Sequence, residues 1–436
     1  MTNELSSVTR RGFLARSSAA AIAGAAVMPH LLTSKARAAS PGDTLKVGLV
    51  GCGGRGSGAA SQALNADENV KLTAMGDMFD SAMQGSYKAL SKQHPEKKID
   101  VTPDRMFSGP DAFQKVIDSG VDLVILASPP GFRPVHFDYA VKAGKHIFCE
   151  KPMATDAVGV RSIMKSVELS KQKNLAVVAG FCWRYDVARR AFFQKLHEGA
   201  LGDVRAIYAT YLTSPVKPMP MASTRPAGMG DIEWQIRNWY NFVWLSGDGL
   251  VEQAIHSVDK LAWAMKDEPP VKCTAVGGRA VAAHGGNIYD HIEVNFEWES
   301  GVRGFMAQRQ SNNCHSENHD YLMGTKGFGY ITGRGVYMTG ENPWKYSGSG
   351  KDKDMYQIEH DELFASIRAG KPINDGDRMA RTTLMGIMGR MAAYTGKEVT
   401  WEMALNSQER LVPEKIDLGA NFEAPPLAVP GKTAFV

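Results

Sequence analysis

The sequence predicts an α/β fold: a doubly wound parallel sheet, then an α+β region with a large, mostly antiparallel sheet. Three observations carry this. Between residues 45 and 181, short apolar runs alternate with helical patterns, as strands buried on both faces require. The first run ends in a glycine-rich loop, Gly51-Cys52-Gly53-Gly54-Arg55-Gly56, that opens the first helical pattern. Beyond residue 182 the apolar runs alternate with polar residues, and 289–298 reads as a strand with one wet face. A chain of 436 residues exceeds what one core usually covers. Two domains are expected, over 44–182 and 183–436.

In order, strands are expected at 45–50, 70–76, 121–127, 145–149 and 175–181, with helices at 57–65, 134–143 and 157–172. Gly144 closes the second of these helices. An amphipathic helix follows at 186–198 and ends at Gly199. Strands come next at 204–212, 271–280, 289–298 and 303–310, then helices at 356–369 and 377–395 that return to the domain junction.

Residues 1–38 read as a leader rather than as fold. Thr9-Arg10-Arg11-Gly12-Phe13-Leu14 is a twin-arginine pattern, 19–28 is a weakly apolar stretch, and Ala36-Arg37-Ala38 is a small-x-small cleavage site. Export to the periplasm is the expectation, with no stable membrane span after cleavage. The leader carries Arg10, Arg11, Arg16, Lys35 and Arg37 against Glu4, which is the whole formal net charge of +4. The remaining residues sum to zero, which argues against nucleic acid as a partner. Cys52, Cys149, Cys182, Cys273 and Cys314 are too sparse for a disulfide scaffold, and no bridge is expected.

The glycine loop has a physical reading. Gly51 permits a tight turn, Gly53 lets the backbone approach a pyrophosphate, and Gly56 lets helix and strand close up. Gly54 and Arg55 lie between them, at a helix N-terminus that offers N–H donors to an anion. Asp77 ends the second strand, 26 residues after Gly51. A carboxylate there accepts hydrogen bonds from adenosine ribose hydroxyls and repels a 2′-phosphate, so NAD is favoured over NADP.

Glu150-Lys151-Pro152 leaves the fourth strand at the sheet's carboxyl edge, where ligands bind in such folds. A lysine there can donate to a substrate oxygen. On the tripeptide alone, a surface lysine in a strand-to-helix loop is the favoured reading. Ser128-Pro129-Pro130 with His136, then Ala143-Gly144-Lys145-His146, Gly180-Phe181-Cys182-Trp183-Arg184-Tyr185, Leu201-Gly202-Asp203-Val204 and Gly324-Thr325-Lys326-Gly327 complete a pattern. With it the chain resembles the Gfo/Idh/MocA family of glucose–fructose oxidoreductases and inositol dehydrogenases over nearly its whole length beyond the leader. The family's second element reads here from Ser246-Gly247-Asp248-Gly249 to Glu252 and His256, with Glu252 where the family has aspartate and Ala254 where it has glycine. Four residues apart on a helix, Glu252 and His256 can share a face.

The resemblance implies an NAD-dependent oxidoreductase acting on a sugar or polyol hydroxyl. Lys151, His256 and Glu252 would be the catalytic group, with either Lys151 or His256 as the base. Ser128, Pro129, His136, Glu150, Lys151, Trp183 and Arg184 would join the glycine loop and Asp77 around the cofactor. Residues 232–245 are dense in aromatics, which suits stacking on sugar faces as well as core packing. Trp234 and Arg237 are therefore expected at the substrate, with Tyr185 and Arg184. A dimer or tetramer is implied by the family. A redox-neutral enzyme working through a transient keto-sugar stands as an alternative, and a silent binding protein as a third reading. Cys314, His315, His319 and the Asp290-His291 pair raise the question of a metal, but no further ligand stands at motif spacing and none is expected.

Overall fold

A computed structural model describes residues 42–348, 350 and 352–436. The twin-arginine segment and the expected cleavage site lie outside the described residues.

The first sheet contains β1 (Leu45–Val50), β2 (Val70–Asp77), β3 (Met106–Ser108), β4 (Leu123–Leu126), β5 (His146–Cys149) and β6 (Val177–Ala179). Their order is β3-β2-β1-β4-β5-β6, and every pairing is parallel. Strands such as Leu-Val-Ile-Leu in β4 are buried at every position, because helices cover both faces. These helices are α1 (Gly54–Ala66), α2 (Asp80–Gln93), α3 (Ala112–Asp118), α4 (Arg133–Lys142) and α5 (Ala157–Gln172). The order reverses between β1 and β4, so their carboxyl ends open a crevice.

After α6 (Val187–His197) the chain builds the second sheet from β7 (Val204–Thr213). Helices α7 (Asp231–Arg237), α8 (Val243–Ser246), α9 (Gly249–Glu252) and α10 (Ile255–Ala264) precede its next strand. The other strands are β8 (Lys272–Gly278), β9 (His291–Glu297), β10 (Arg303–Gln310), β11 (Asp320–Gly324), β12 (Gly327–Thr332), β13 (Gly335–Gly340), β14 (Trp344–Lys345) and β15 (Val399–Thr400). The order is β14-β13-β12-β11-β7-β10-β9-β8-β15, antiparallel except between β7 and β10. Alternation works as expected: Ile292, Val294 and Phe296 of β9 point into the core.

Two late helices, α11 (Met355–Arg368) and α12 (Gly376–Thr395), tie the sheets together. The first packs on α1, and α12 lies against both α5 and the β8–β9 pair. A short helix, α13 (Trp401–Asn406), follows β15. The remaining tail, 407–436, is irregular and packs with α7 and α8 in a third apolar cluster around Trp244, Ile232 and Ile236.

Candidate cofactor and catalytic site

A cavity of about 820 Å³ opens at the carboxyl edge of the first sheet. Its floor is the glycine loop, and each glycine there has a distinct reason. Gly51 has φ +92°, and a Cβ on it would lie 2.5 Å from the Ala127 carbonyl carbon. A Cβ on Gly56 would lie 1.9 Å from the Gly51 carbonyl oxygen. By contrast, Cβ atoms on Gly53 and Gly54 would meet none of the described residues within 4 Å, and both glycines border the cavity. The loop thus leaves an open cradle at the start of α1, shaped for a phosphate group. Asp77 borders the same cavity, its carboxylate accepting from the Cys52 N–H at 2.6 Å and the Phe79 N–H at 2.9 Å. Burial nevertheless raises its pKa, so further donors such as ribose hydroxyls would be welcome. These residues fit a dinucleotide.

The loops after β4 and β5 are pinned to one another. Arg133, fully buried on α4, donates to the Ser128 carbonyl at 2.5 Å and also to the Pro152 carbonyl. Ser128 and His136 share a hydrogen bond of 3.0 Å, and the imidazole stacks on Phe113 with centroids 4.1 Å apart. Burial, with Arg133 adding to it, pushes His136 down to about 3, so the ring is neutral. Ser128, Pro129 and His136 all border the cavity, and so does Glu150. Glu150 accepts from Arg55 Nε at 2.5 Å, while Arg55 also reaches Glu359 at 3.3 Å and Gln62 at 3.0 Å. Its guanidinium is therefore held between carboxylates rather than left free for a phosphate.

Lys151, Glu252 and His256 meet at the cavity wall. Lys151 Nζ donates to Glu252 twice, at 2.8 Å to Oε1 and 2.6 Å to the backbone carbonyl. The other carboxylate oxygen, Oε2, and His256 Nδ1 have no partner among the described residues. Burial, then the charges of Lys151 and Lys260, hold His256 well below its ordinary pKa, so it is neutral. Helix spacing predicted this sharing of one site, although α9 ends at Glu252 and α10 begins at Ile255, with a break between. Trp183 also borders the cavity, its ring 5.2 Å from His256 and 3.9 Å from Lys260 Nζ.

Four other expectations are corrected by position. Arg184 does not reach the cavity: it is buried against Asp259 at 2.7 Å and Asp267 at 2.5 Å. Tyr185 turns away and donates to Asp375 at 3.0 Å. Trp234 packs in the third apolar cluster, where hydrophobic burial claims its ring. Arg237 does border the cavity, but on the Asp77 side, its guanidinium 3.9 Å from the Phe79 ring centroid and 2.7 Å from Glu233. Strands β2 and β5 are three steps apart, about 14 Å, so Arg237 belongs near Asp77 rather than near Lys151.

Sequence reasoning missed Tyr211, Gln253, Lys217, Val412, Pro413, Glu414 and Ile416, which all border the cavity, whereas Trp239 and Tyr240, which also border it, belong to the aromatic run 232–245. Tyr211 donates to Gln253 Oε1 at 2.8 Å, and Tyr240 accepts from Gln310. Gln253 is adjacent to Glu252 and could have been found from the motif; the other missed residues carry no local signal.

Residues 45–181 match the Gfo/Idh/MocA model, the oxidoreductase family with an NAD-binding Rossmann fold. The inositol 2-dehydrogenase of Rhizobium meliloti is 23% identical over 286 residues, 65% of this chain and 74% of that protein. Other inositol dehydrogenases align over shorter stretches, such as 54% of the Lacticaseibacillus casei enzyme. Among solved structures, the aldose–aldose oxidoreductase of Caulobacter crescentus, complexed with glycerol, has a TM-score of 0.63 at 21% identity, covering 82% of this chain and 99% of that one. The WlbA dehydrogenase of Bordetella pertussis, in complex with NADH and UDP-GlcNAcA, gives 0.63 at 19%, covering 82% and 98%. These structures share the fold: a six-stranded Rossmann sheet followed by a large, mostly antiparallel one.

Proposed function

We propose that the protein is an NAD-dependent oxidoreductase that removes hydride from a secondary hydroxyl of a sugar or polyol, or returns it to the carbonyl. The observation that carries this is the Lys151–Glu252 pair beside neutral His256, at the edge of a cavity whose opposite side is a dinucleotide cradle. The glycine loop would hold the pyrophosphate and Asp77 the adenosine ribose. Bound there, the nicotinamide would supply the hydride acceptor.

The chain's own residues do the rest. Glu252 fixes the Lys151 ammonium through two acceptors, so its third hydrogen is the one free to meet a substrate oxygen. Glu252 Oε2 and His256 Nδ1, both without partners among the described residues, suit a molecule carrying several hydroxyls. Neutral His256 can take the hydroxyl proton as the carbonyl forms, while the Lys151 ammonium donates to that oxygen; Lys151 can take the proton itself only as the free amine, after giving one up. Arg55 is engaged by two carboxylates and Asp77 stands at the ribose end, which favours NAD over NADP. The twin-arginine pattern supports export to the periplasm. There a retained cofactor would have to be recycled on the protein, which keeps a redox-neutral or sugar–sugar cycle in view.

The test is a single-turnover assay. The protein loaded with NAD⁺ is mixed with a panel of polyols and aldoses, and nucleotide reduction is followed by absorbance. Reduction by at least one polyol, lost in Lys151→Ala, supports the reading; no reduction by any member defeats it.

A further inference from the structure

We infer that the C-terminal segment 411–424 fastens the adenosine half of the dinucleotide in place, so that the cofactor stays on the protein between turnovers. This rests on the function proposed above. The segment is irregular, yet it is anchored at both ends. At the near end, Asp156 Oδ2 accepts the Leu411 N–H at 2.9 Å. At the far end, the Phe422 N–H donates to Asp231 at 3.0 Å, and Gln235 donates to the Phe422 carbonyl at 2.6 Å. The Phe422 ring meets the edge of Trp244 at 6.0 Å, and Trp244 is fully buried. The segment also passes so near α7 that a Cβ on Gly230 would lie 2.2 Å from the Leu418 carbonyl oxygen.

Between these anchors, Val412, Pro413, Glu414 and Ile416 border the cavity. They do so on the Asp77 side, because Val412 and Ile416 belong to the apolar cluster that also takes in Met78 and Phe79. Arg237, stacked on Phe79, extends the same wall. The adenosine end thus faces a sheet edge on one side and a tail clipped down at two points on the other. A ligand held by its pyrophosphate on α1 has to part that wall to leave, and release slows by the free energy of opening it.

The experiment uses the full chain, loaded with NAD⁺ and freed of excess by desalting. Exchange of bound nucleotide against isotopically labelled NAD⁺ is followed by mass, in wild type and in Ile416→Ala/Leu418→Ala. Wild type is expected to exchange far more slowly than it turns over, and the double variant about tenfold or more faster. Hydrogen exchange of the wild-type 411–424 amides, with and without NAD⁺, gives a second readout independent of the variant's folding; protection should rise on binding. Exchange of wild type within seconds, or no gain in protection, overturns the inference even if polyols are oxidised. Slow exchange with no polyol oxidised leaves the fastening intact and defeats the proposed reaction.

Discussion

Alanine at Gly53 and alanine at Gly56 should separate the two duties of the glycine loop. At Gly56 the new Cβ would stand 1.9 Å from the Gly51 carbonyl oxygen, while real Cβ contacts stay beyond 3.0 Å, so α1 has to retreat by about 1.1 Å (3.0 − 1.9). That helix buries Ala59, Ala60, Ala63 and Leu64 against its neighbours. Moving so closely packed a face costs about 1–3 kcal/mol, and a displacement near 1 Å of positioned groups can be worth about 10²-fold. Gly56→Ala should therefore lose stability and NAD affinity together. At Gly53, φ −71° and ψ −177° suit alanine, and its Cβ meets no atom of the described residues within 4 Å. Gly53→Ala should keep the wild-type stability or gain about 0.4–1 kcal/mol from a stiffer unfolded chain. Its methyl would enter the space assigned to the pyrophosphate, so affinity should fall at least about tenfold, or 1.4 kcal/mol. Urea unfolding and calorimetric titration with NAD⁺ measure both quantities on each variant. Gly53→Ala binding NAD⁺ as tightly as wild type would place the pyrophosphate elsewhere and refute the reasoning.

Three further outcomes are expected. Lys151→Ala should reduce turnover by about 10²–10⁴-fold while leaving NAD⁺ affinity within a few-fold; a loss below tenfold in single-turnover rate removes Lys151 from the chemistry. Asp77→Ser should shift preference towards NADP, since the repelling carboxylate goes while Arg237 and Lys217 remain on that side of the cavity; paired Kd measurements for NAD⁺ and NADP⁺ decide it. His136, pushed down to about 3 by burial, contributes stability that is intact above about pH 6.5 and lost as pH falls towards its folded value. In His136→Phe, which keeps a ring beside Phe113, the fall of unfolding free energy below pH 6 should be shallower by about 1.4 kcal/mol per unit; parallel slopes in urea titrations would contradict a neutral buried imidazole.

The parts of the site legible in the sequence are those whose chemistry is local. A strand, three glycines and a helix start already define the cradle, and Glu150-Lys151-Pro152 announces itself at a strand end. Helix α2 escaped because only Met83, Ser86 and Leu90 of its residues are buried, too few to set a clear period. Arg184 was misplaced because its partners, Asp259 and Asp267, lie 75 and 83 positions away, and no local pattern reveals such a pairing. The aromatic density of 232–245 was visible, but stacking on a sugar and packing in a core call for the same residues. Only the tail that packs on Trp244 distinguishes the two, and that tail has no period because it is not regular.

Helix α11 and the connection from it to α12 bind the first sheet to the order in which the chain is made. The Asp375 N–H donates to the Val177 carbonyl at 2.8 Å, and the Val177 N–H donates to the Ile373 carbonyl at 2.8 Å. Gln357 donates to the Gln62 carbonyl at 2.9 Å. The open edge at β6 is thus covered by residues about 200 positions further along, and the outer face of α1 by one 295 positions further along. At about 5–20 residues per second, the nascent chain holds that edge uncovered for roughly 10–40 s. During this interval β6 presents an unpaired edge open to wrong pairing, and a chaperone that shields it would act before residue 375 leaves the ribosome.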